Sequence, residues 1–211
     1  MDIIEQYKNI EEYFCQGVGN RFPFDQFETY LHLLLKWNEK LNLTSLSEPK
    51  RIIDELIIDS LFLVPYIEDS KSILDIGAGA GFPSIPLKIA SKDKQFTLCD
   101  SIKKRTDFLK EVVRQLGLRD MTVLKKTVTP DEPVGIFDTI VSRGTMTIDR
   151  FINIAFQNLK PGGKILLPKG AEVHAEIDAA MPEIEKNKMT VTVHAYTLPY
   201  SKRRRAIVVI R

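Results

Sequence analysis

The sequence predicts an α/β fold in which a mostly parallel sheet is preceded by helices and ends in an antiparallel hairpin. Three observations support this prediction. Residues 1–70 have helical periodicity, and from Lys71 onward short apolar strands alternate with amphipathic helices. The chain then ends in two strand-like runs separated by a short basic turn. Alternating strands and helices with short connections are typical of a parallel sheet with right-handed crossovers.

The N-terminal part is predicted to contain two helices. Apolar residues recur at three- and four-residue spacing over residues 24–41, and Pro23 suits the first turn of such a helix. A second helix is predicted over residues 49–63. We therefore divide the chain into an N-terminal helical extension, residues 1–70, packed on a core domain, residues 71–211.

Within the core domain, five parallel strands and a terminal hairpin are expected. The predicted strands are residues 72–76, 95–100, 121–126, 138–143 and 164–169. The helices predicted between them are residues 83–92, 102–117 and 147–160. The hairpin is predicted to pair residues 189–198 with residues 204–211.

The composition is that of a globular protein, and its net charge is too small to indicate a nucleic-acid partner. The 211 residues are 44% hydrophobic with a net charge of +2, so a nucleic acid would have to bind a local basic patch. We find no signal peptide pattern and no apolar run near the roughly 20 residues of a membrane span. Cys15 and Cys99 fit no metal site and are expected as buried thiols. We therefore expect a cytoplasmic monomer with no membrane or metal partner.

A glycine-rich loop, LDIGAGAGFP at residues 74–83, lies between the first predicted strand and the next helix. Gly77 and Gly79 would let the backbone approach a ligand closely. Ligands of such sheets bind at the carboxyl ends of the strands, near the point where the strand order reverses. Asp100 ends the second strand, where an acidic residue can bind both ribose hydroxyls. Together these features predict a cofactor that contains a ribose.

The loop favours S-adenosylmethionine over a dinucleotide. Dinucleotide-binding loops read GxGxxG and place the pyrophosphate at a helix start, whereas this loop reads GxGxG and continues into Phe82. A carboxylate at Asp75 would repel a pyrophosphate but suits the amino group and sulfonium of S-adenosylmethionine. Asp75 is therefore expected to contact the cofactor, and a methyltransferase is favoured over a dehydrogenase.

Six segments follow one another in an order that one family shares. They are WNEKLNLTSL, IIDSL, LDIGAGAGFPSIPL, LCDSIKKRTDFLKEV, FDTIVSR and RAIVVI. The chain resembles the ribosomal RNA small subunit methyltransferase G (RsmG or GidB) family over almost its whole length. The resemblance implies a Rossmann-like class I methyltransferase fold. It also implies methylation of guanine N7 in the decoding-region loop of 16S rRNA, with 16S rRNA or a small-subunit precursor as partner.

The resemblance also implies roles for individual residues. The matched positions are Gly77, Phe82, Val128 and Thr129 on the cofactor side, and Arg143, Lys169 and Arg205 on the acceptor side. Guanine N7 carries a lone pair, so the reaction depends on alignment rather than on a general base. Arg143 follows the fourth predicted strand and is expected to reach cofactor and acceptor. It is the candidate catalytic residue, because a guanidinium bonds a guanine edge or a phosphate in a fixed fork.

The expected RNA phosphate contact is the basic run Lys202-Arg203-Arg204-Arg205. An ordinary solvated hairpin turn is the alternative interpretation of this run. For Lys103-Lys104-Arg105 and Lys125-Lys126, solvated surface charge is the favoured interpretation. Asp59, in the IIDSL segment, is expected to brace the N-terminal helices against the glycine loop.

Several positions depart from the family's pattern and mark a divergent member. They are Leu56 for histidine, Ser84 for glycine, Thr127 for arginine and Gly144 for alanine. The loss of one cation at Thr127 leads us to expect weaker RNA binding than is typical of the family. Two alternatives stay open: a methyltransferase with another acceptor, and a non-catalytic RNA- or ribosome-binding module that keeps the cofactor fold.

Overall fold

The computed structural model of the protein describes residues 23–211, so Cys15 and the acidic N-terminal segment lie outside the described residues. The described strands are β1 (Ser72–Ile76), β2 (Gln95–Asp100), β3 (Met121–Lys125), β4 (Phe137–Val141), β5 (Leu159–Gly170), β6 (Val191–Thr197) and β7 (Arg204–Ile210). They form one sheet in the order β3-β2-β1-β4-β5-β7-β6. β1 to β5 are parallel, and β7 pairs antiparallel with both β5 and β6. This architecture confirms the predicted fold class.

The helices that accompany these strands cover most of the intervening chain. They are α1 (Phe24–Leu41), α2 (residues 49–61), α3 (Ser84–Ala90), α4 (Lys103–Gln115), α5 (Ile148–Phe156) and α6 (His174–Lys186). Helix α6 was not predicted from the sequence. Only Ile177, Ala180 and Ile184 of this helix are buried, and Pro182 lies within it. Its apolar stripe is therefore too narrow to give a clear helical period.

Helix α2 is not a regular α-helix. Its central segment, Ile53–Ile58, is π-helical and completely buried. The backbone amide of Asp59 donates to the carbonyls of Asp54 and Leu56, and not to the carbonyl of Glu55 four residues back. This leaves the Glu55 carbonyl available to another donor.

The sheet is covered on both faces, so the fold has three layers. On one face, α1 to α4 pack against the sheet in one apolar core that includes Phe27, Ile53 and Phe108. On the other face, α5 and α6 build a second core around Phe151 and Ile165. Nowhere in residues 23–211 is there a helix long and apolar enough to cross a membrane.

Candidate active site

A cleft of about 430 Å³ opens at the carboxyl ends of β1, β2 and β4. β1 lies between β2 and β4, so the order of the strands reverses here, and open α/β sheets bind ligands at this point. The volume lies in the range of small-molecule sites. Of the residues predicted from the sequence, the cleft brings together Gly77, Gly79, Phe82, Asp100, Val128 and Arg143.

The glycine loop is held in place by close packing. Gly77 has a φ of 77°, and a Cβ atom there would overlap the side chain of Thr145. Gly81 has a φ of 97°, and a Cβ atom there would lie 3.1 Å from the hydroxyl of Tyr30. That hydroxyl donates a 2.6 Å hydrogen bond to the Ala80 carbonyl, so α1 supports the loop directly.

Tyr30 lies within the amphipathic helix predicted over residues 24–41, and the sequence predicted no further role for it. The side chain is fully buried, and burial raises the pKa of its hydroxyl well above the ordinary value. The hydroxyl therefore stays protonated and acts as a donor. One feature of the sequence could have predicted this contact: a tyrosine lies in a stripe that is expected to be buried, and a buried phenol needs a hydrogen-bond partner.

Asp75 lies beneath the glycine loop and does not line the cleft. It is 0% exposed, and its Oδ2 accepts a 2.6 Å hydrogen bond from the Ser84 hydroxyl, while its Oδ1 has no partner among the described residues. Burial raises the pKa of this carboxyl to about 7, although the bond from Ser84 opposes the shift. Because the carboxyl is not exposed to the cleft in this structure, it is not accessible for the direct cofactor contact expected from the sequence. Ser84, one of the departures from the family, supplies the hydroxyl donor.

Asp100 ends β2 with its carboxylate at the cleft wall. The carboxylate accepts 2.9 Å hydrogen bonds from the backbone amides of Gly79 and Ile102. Arg105 adds a longer contact of 3.4 Å and also lines the cleft. Arg105 thus contacts the predicted ribose site, whereas the sequence favoured solvated surface charge for its run. Lys103 and Lys104 face elsewhere, toward Asp107 and the Leu41 carbonyl.

The segment after β3 forms the side of the cleft next to Asp100. Lys126, Thr127 and Val128 line it, together with the buried thiol of Cys99. Burial raises the pKa of this thiol to about 11, so it stays protonated at neutral pH. Thr129 lies one residue beyond the lining and pairs with Glu132 in an isolated β-bridge.

Arg143 reaches the open side of the cleft, but part of its guanidinium is already bound. Its Nε lies 3.3 Å from Oδ2 of Asp59, and a terminal nitrogen donates a 2.9 Å hydrogen bond to the Glu55 carbonyl. The side chain is 25% exposed. Because arginine has five N–H donors, some remain available to a ligand.

Three carboxylates of α2, namely Asp54, Glu55 and Asp59, form a buried acidic cluster that faces the β6–β7 hairpin. Asp54 accepts hydrogen bonds from the backbone amides of Tyr200 and Ser201, at 3.3 and 2.8 Å. Asp59 binds Arg143 and Tyr196 of the hairpin. It therefore does not brace the glycine loop, although the sequence had predicted that it would. The loop is braced by α1.

Two residues of the basic run at the hairpin turn form ion pairs with this acidic cluster, and two do not. Arg203 lies 3.0 Å and Arg205 3.9 Å from a Glu55 oxygen, and Arg205 also lies 3.6 Å from Asp59. Lys202 and Arg204 are exposed and have no ion pair within the described residues. The predicted phosphate contacts therefore fall into two paired and two unpaired cations.

Lys169 does not face the cleft. Its ammonium forms a 2.7 Å ion pair with Glu176 on α6 and lies 3.4 Å from the Met146 carbonyl. Glu176 also accepts a hydrogen bond from the amide of Ile148. Lys169 thus links the β4–α5 connection to α6. It does not occupy the acceptor side of the cleft, where the resemblance implied an RNA contact. No group of metal-ligating side chains was found among residues 23–211.

Comparison with known proteins gives both a family and a fold. The sequence model of the GidB family, described as rRNA small subunit methyltransferase G, matches residues 24–206. A relative from Coxiella burnetii (strain Dugway 5J108-111), named Ribosomal RNA small subunit methyltransferase G, is 34% identical over 86% of this chain and 85% of its own. A relative of the same name from Halalkalibacterium halodurans is 31% identical over 100% of this chain and 91% of its own.

Two solved structures share the fold at low sequence identity. The O-methyltransferase from Bacillus cereus in complex with SAH has a TM-score of 0.61 and 16% identity, over 98% of this chain and 99% of its own. The ribosomal protein L11 methylase from Lactobacillus delbrueckii subsp. bulgaricus has a TM-score of 0.56 and 15% identity, over 74% of this chain and 77% of its own.

The sheet order and the cleft at its switch point define a Rossmann-like α/β fold, which the two solved methyltransferases share. The family match over most of the chain then gives the particular assignment: the protein belongs to the rRNA small subunit methyltransferase G family. Its cofactor is accordingly S-adenosylmethionine. The family and the cofactor predicted from the sequence are both confirmed.

Proposed function

We propose that the protein transfers a methyl group from S-adenosylmethionine to N7 of a guanine in the decoding-region loop of 16S rRNA. The observation that carries the proposal is the family match over residues 24–206, since that acceptor is the family's. The cleft supports it with a glycine loop and a carboxylate on one side and an arginine on the other.

The cleft fits the cofactor. Gly77 and Gly79 line the cleft and carry no Cβ atom, so the backbone there can approach the cofactor closely. The Asp100 carboxylate has three donors, and a carboxylate accepts about four hydrogen bonds, which leaves capacity for a ribose hydroxyl. Val128 offers an apolar wall for the adenine, and Phe82 also lines the cleft.

The reaction requires the protein mainly to align guanine N7 with the methyl group of the cofactor. S-adenosylmethionine supplies a methyl group on a sulfonium centre. Guanine N7 has a lone pair at neutral pH, so no side chain has to remove a proton. The free donors of Arg143 bond guanine O6 or an adjacent phosphate, and this fixes the direction of N7. Leu56 and Phe82 line the cleft as well and offer apolar surface against which a base can pack.

RNA outside the cleft is held by the hairpin turn in this proposal. Lys202 and Arg204 are exposed and unpaired within the described residues, so they can bind phosphate without breaking an ion pair. Arg203 is 53% exposed and can turn from Glu55 to a phosphate, whereas Arg205 mainly neutralises the acidic cluster. Such contacts give affinity without reading sequence.

We further propose that the protein acts as a cytoplasmic monomer, with residues 1–70 as a helical extension on the methyltransferase domain of residues 71–211. The Tyr30 contact to the glycine loop supports a role of the extension in shaping the cofactor site.

The test is methyl transfer from labelled S-adenosylmethionine to 16S rRNA and to small subunits from a strain that lacks the gene, followed by mapping of the modified base. We expect one N7-methylated guanine in the decoding-region loop. Arg143→Ala should remove most turnover, and Arg143→Lys should restore little, because an ammonium lacks the two-pronged planar contact.

Two other outcomes would replace the proposal. Label in another RNA, a protein or a small molecule would indicate a methyltransferase with a different acceptor. Subunit binding without transfer, in a protein that still binds S-adenosylmethionine, would indicate the non-catalytic binding module.

A further inference from the structure

The carboxylate of Asp59 is shared between the active-site arginine and the C-terminal hairpin. Its Oδ2 lies 3.3 Å from Nε of Arg143, while its Oδ1 accepts a 2.7 Å hydrogen bond from the hydroxyl of Tyr196. Asp59 is 2% exposed and does not line the cleft. Arg143 does line the cleft, so Asp59 can influence a ligand there through Arg143.

The π-helical turn of α2 provides a second acceptor for the same guanidinium. In a regular α-helix, the Glu55 carbonyl would accept the amide of Asp59. Here that amide bonds elsewhere, and the Glu55 carbonyl accepts a 2.9 Å hydrogen bond from Arg143. Isolated π turns often occur at functional sites. One helix thus offers Arg143 two acceptors.

Arg143 needs such support because of where it lies. It belongs to the connection between β4 and α5, residues 142–147, which has no regular secondary structure. A long side chain on such a segment would otherwise lose considerable conformational entropy when it binds a base. The Tyr196 bond in turn orients the Asp59 carboxylate, and the ring of Tyr196 is stacked on Phe62 at a centroid distance of 4.3 Å.

We propose that Asp59 is a positioning residue that fixes the Arg143 guanidinium, so that its remaining donors face the acceptor base. The proposal rests on the acceptor role proposed for Arg143. It makes the geometry of the acceptor side depend on the contact between α2 and the β6–β7 hairpin.

The first test is a double-mutant cycle on single-turnover methyl transfer. Asp59→Asn should lower the rate by about tenfold or more, as expected when a reacting partner is misaligned. Affinity for S-adenosylmethionine, measured by calorimetry, should stay within about twofold of wild type. In an Arg143→Ala background, Asp59→Asn should cause no further loss, because its effect passes through Arg143. Asp107→Asn, on the surface of α4, is the matched control and should leave the rate unchanged.

The cycle separates positioning from general structural support. Rate losses that multiply in the double variant, or a normal rate in Asp59→Asn, would overturn the positioning role. If wild type transfers no methyl group to rRNA, the proposed function fails, and a direct measurement of Arg143 still tests the positioning.

That measurement is the NMR signal of the Arg143 Nε–H, assigned by its disappearance in Arg143→Lys. It should be resolved and slow to exchange with solvent in the wild type, and broadened in Asp59→Asn. Tyr196→Phe, which keeps the ring but removes one bond to the carboxylate, should weaken the signal less and provides a second variant should Asp59→Asn not fold. An identical signal in the wild type and in the variants that fold would overturn the proposal.

Discussion

Asp75 illustrates how one residue links the stability of the fold to pH. Its carboxyl is fully buried, and burial raises its pKa to about 7. In the unfolded chain the same carboxyl titrates near its ordinary value. The folded protein therefore holds a proton between these two values that the unfolded chain has released. Stability from this group is fully present below the unfolded pKa and is lost as the pH rises to about 7.

Asp75→Asn should remove this dependence. Relative to wild type, the free energy of unfolding of the variant should rise between about pH 4 and pH 7, by ~2–4 kcal/mol, and then stay level. The difference between the two proteins is the quantity to follow, because the unpartnered amide adds a constant cost. Urea unfolding across this pH range provides the measurement. A constant difference would mean that Asp75 is ionised throughout.

Asp138 supplies a control of the opposite sign. Partial burial favours its neutral form, but hydrogen bonds from Lys160 and Ser72 prevail and hold its pKa below the ordinary value. The stability that it contributes is present above the unfolded pKa and is lost as the pH falls. Asp138→Asn should therefore be less stable than wild type at neutral pH, and the gap should close in acid.

At the scale of elements, α2 and the β6–β7 hairpin act as one unit because the acidic cluster joins them. The sequence showed the basic turn and the acidic helix separately. It carried no sign that they meet, since Asp59 and Arg205 are far apart in the chain and each is an ordinary charged residue by itself. Their pairing follows from the position of β7 inside the sheet, which brings Arg205 beside α2.

The turn residues should consequently fall into two classes when they are changed to alanine. The pair Lys202→Ala and Arg204→Ala should weaken RNA binding and reduce its salt dependence by up to about one unit of slope for each lost phosphate contact. Stability should hardly change, because both side chains are exposed. Binding titrations over a salt series provide the test. An unchanged slope would mean that Lys202 and Arg204 make no phosphate contact.

Arg205→Ala should behave differently. It leaves the buried Asp59 and Glu55 with one cation fewer, so we expect a loss of ~1–3 kcal/mol in unfolding free energy. A weaker affinity for RNA in this variant would then have to be compared with the fraction folded. Full stability in Arg205→Ala would show that the remaining partners of Asp59 are sufficient.

At the scale of the whole molecule, the cofactor should stabilise the fold as a unit. A ligand at a hundred times its dissociation constant adds ~2.7 kcal/mol to the free energy of unfolding. For a domain of this size, this corresponds to a rise in melting temperature of about 5–10 °C. S-adenosylmethionine should produce this rise and NAD should not.

Asp100→Ala serves as the matched control for the cofactor prediction. The loss of hydrogen bonds to a charged group should weaken the cofactor by ~1–3 kcal/mol and reduce the rise in melting temperature accordingly. Stabilisation by NAD alone would contradict the cofactor assignment.

The sequence predicted the sheet, its hairpin and the cleft residues near the glycine loop because periodicity and loop spacing are local signals. It could not predict the π turn in α2, since that departure depends on how buried residues 53–58 pack in the core. The Tyr30 bond and the orientation of Asp75 were equally out of reach. Both depend on which side of a buried element faces the loop, and the sequence does not specify the angle between elements.

The place of β7 in the sheet has a consequence for the order in which the sheet can form. β7 follows β6 in the chain, yet it lies between β5 and β6, and its Ile210 pairs with both Ile165 and Val191. Until β7 is in place, β6 has no partner strand among the described residues, and Arg205 does not reach Asp59. Both β6 and the acceptor side therefore depend on β7, and the loss of residues 204–210 would remove an inner strand of the sheet.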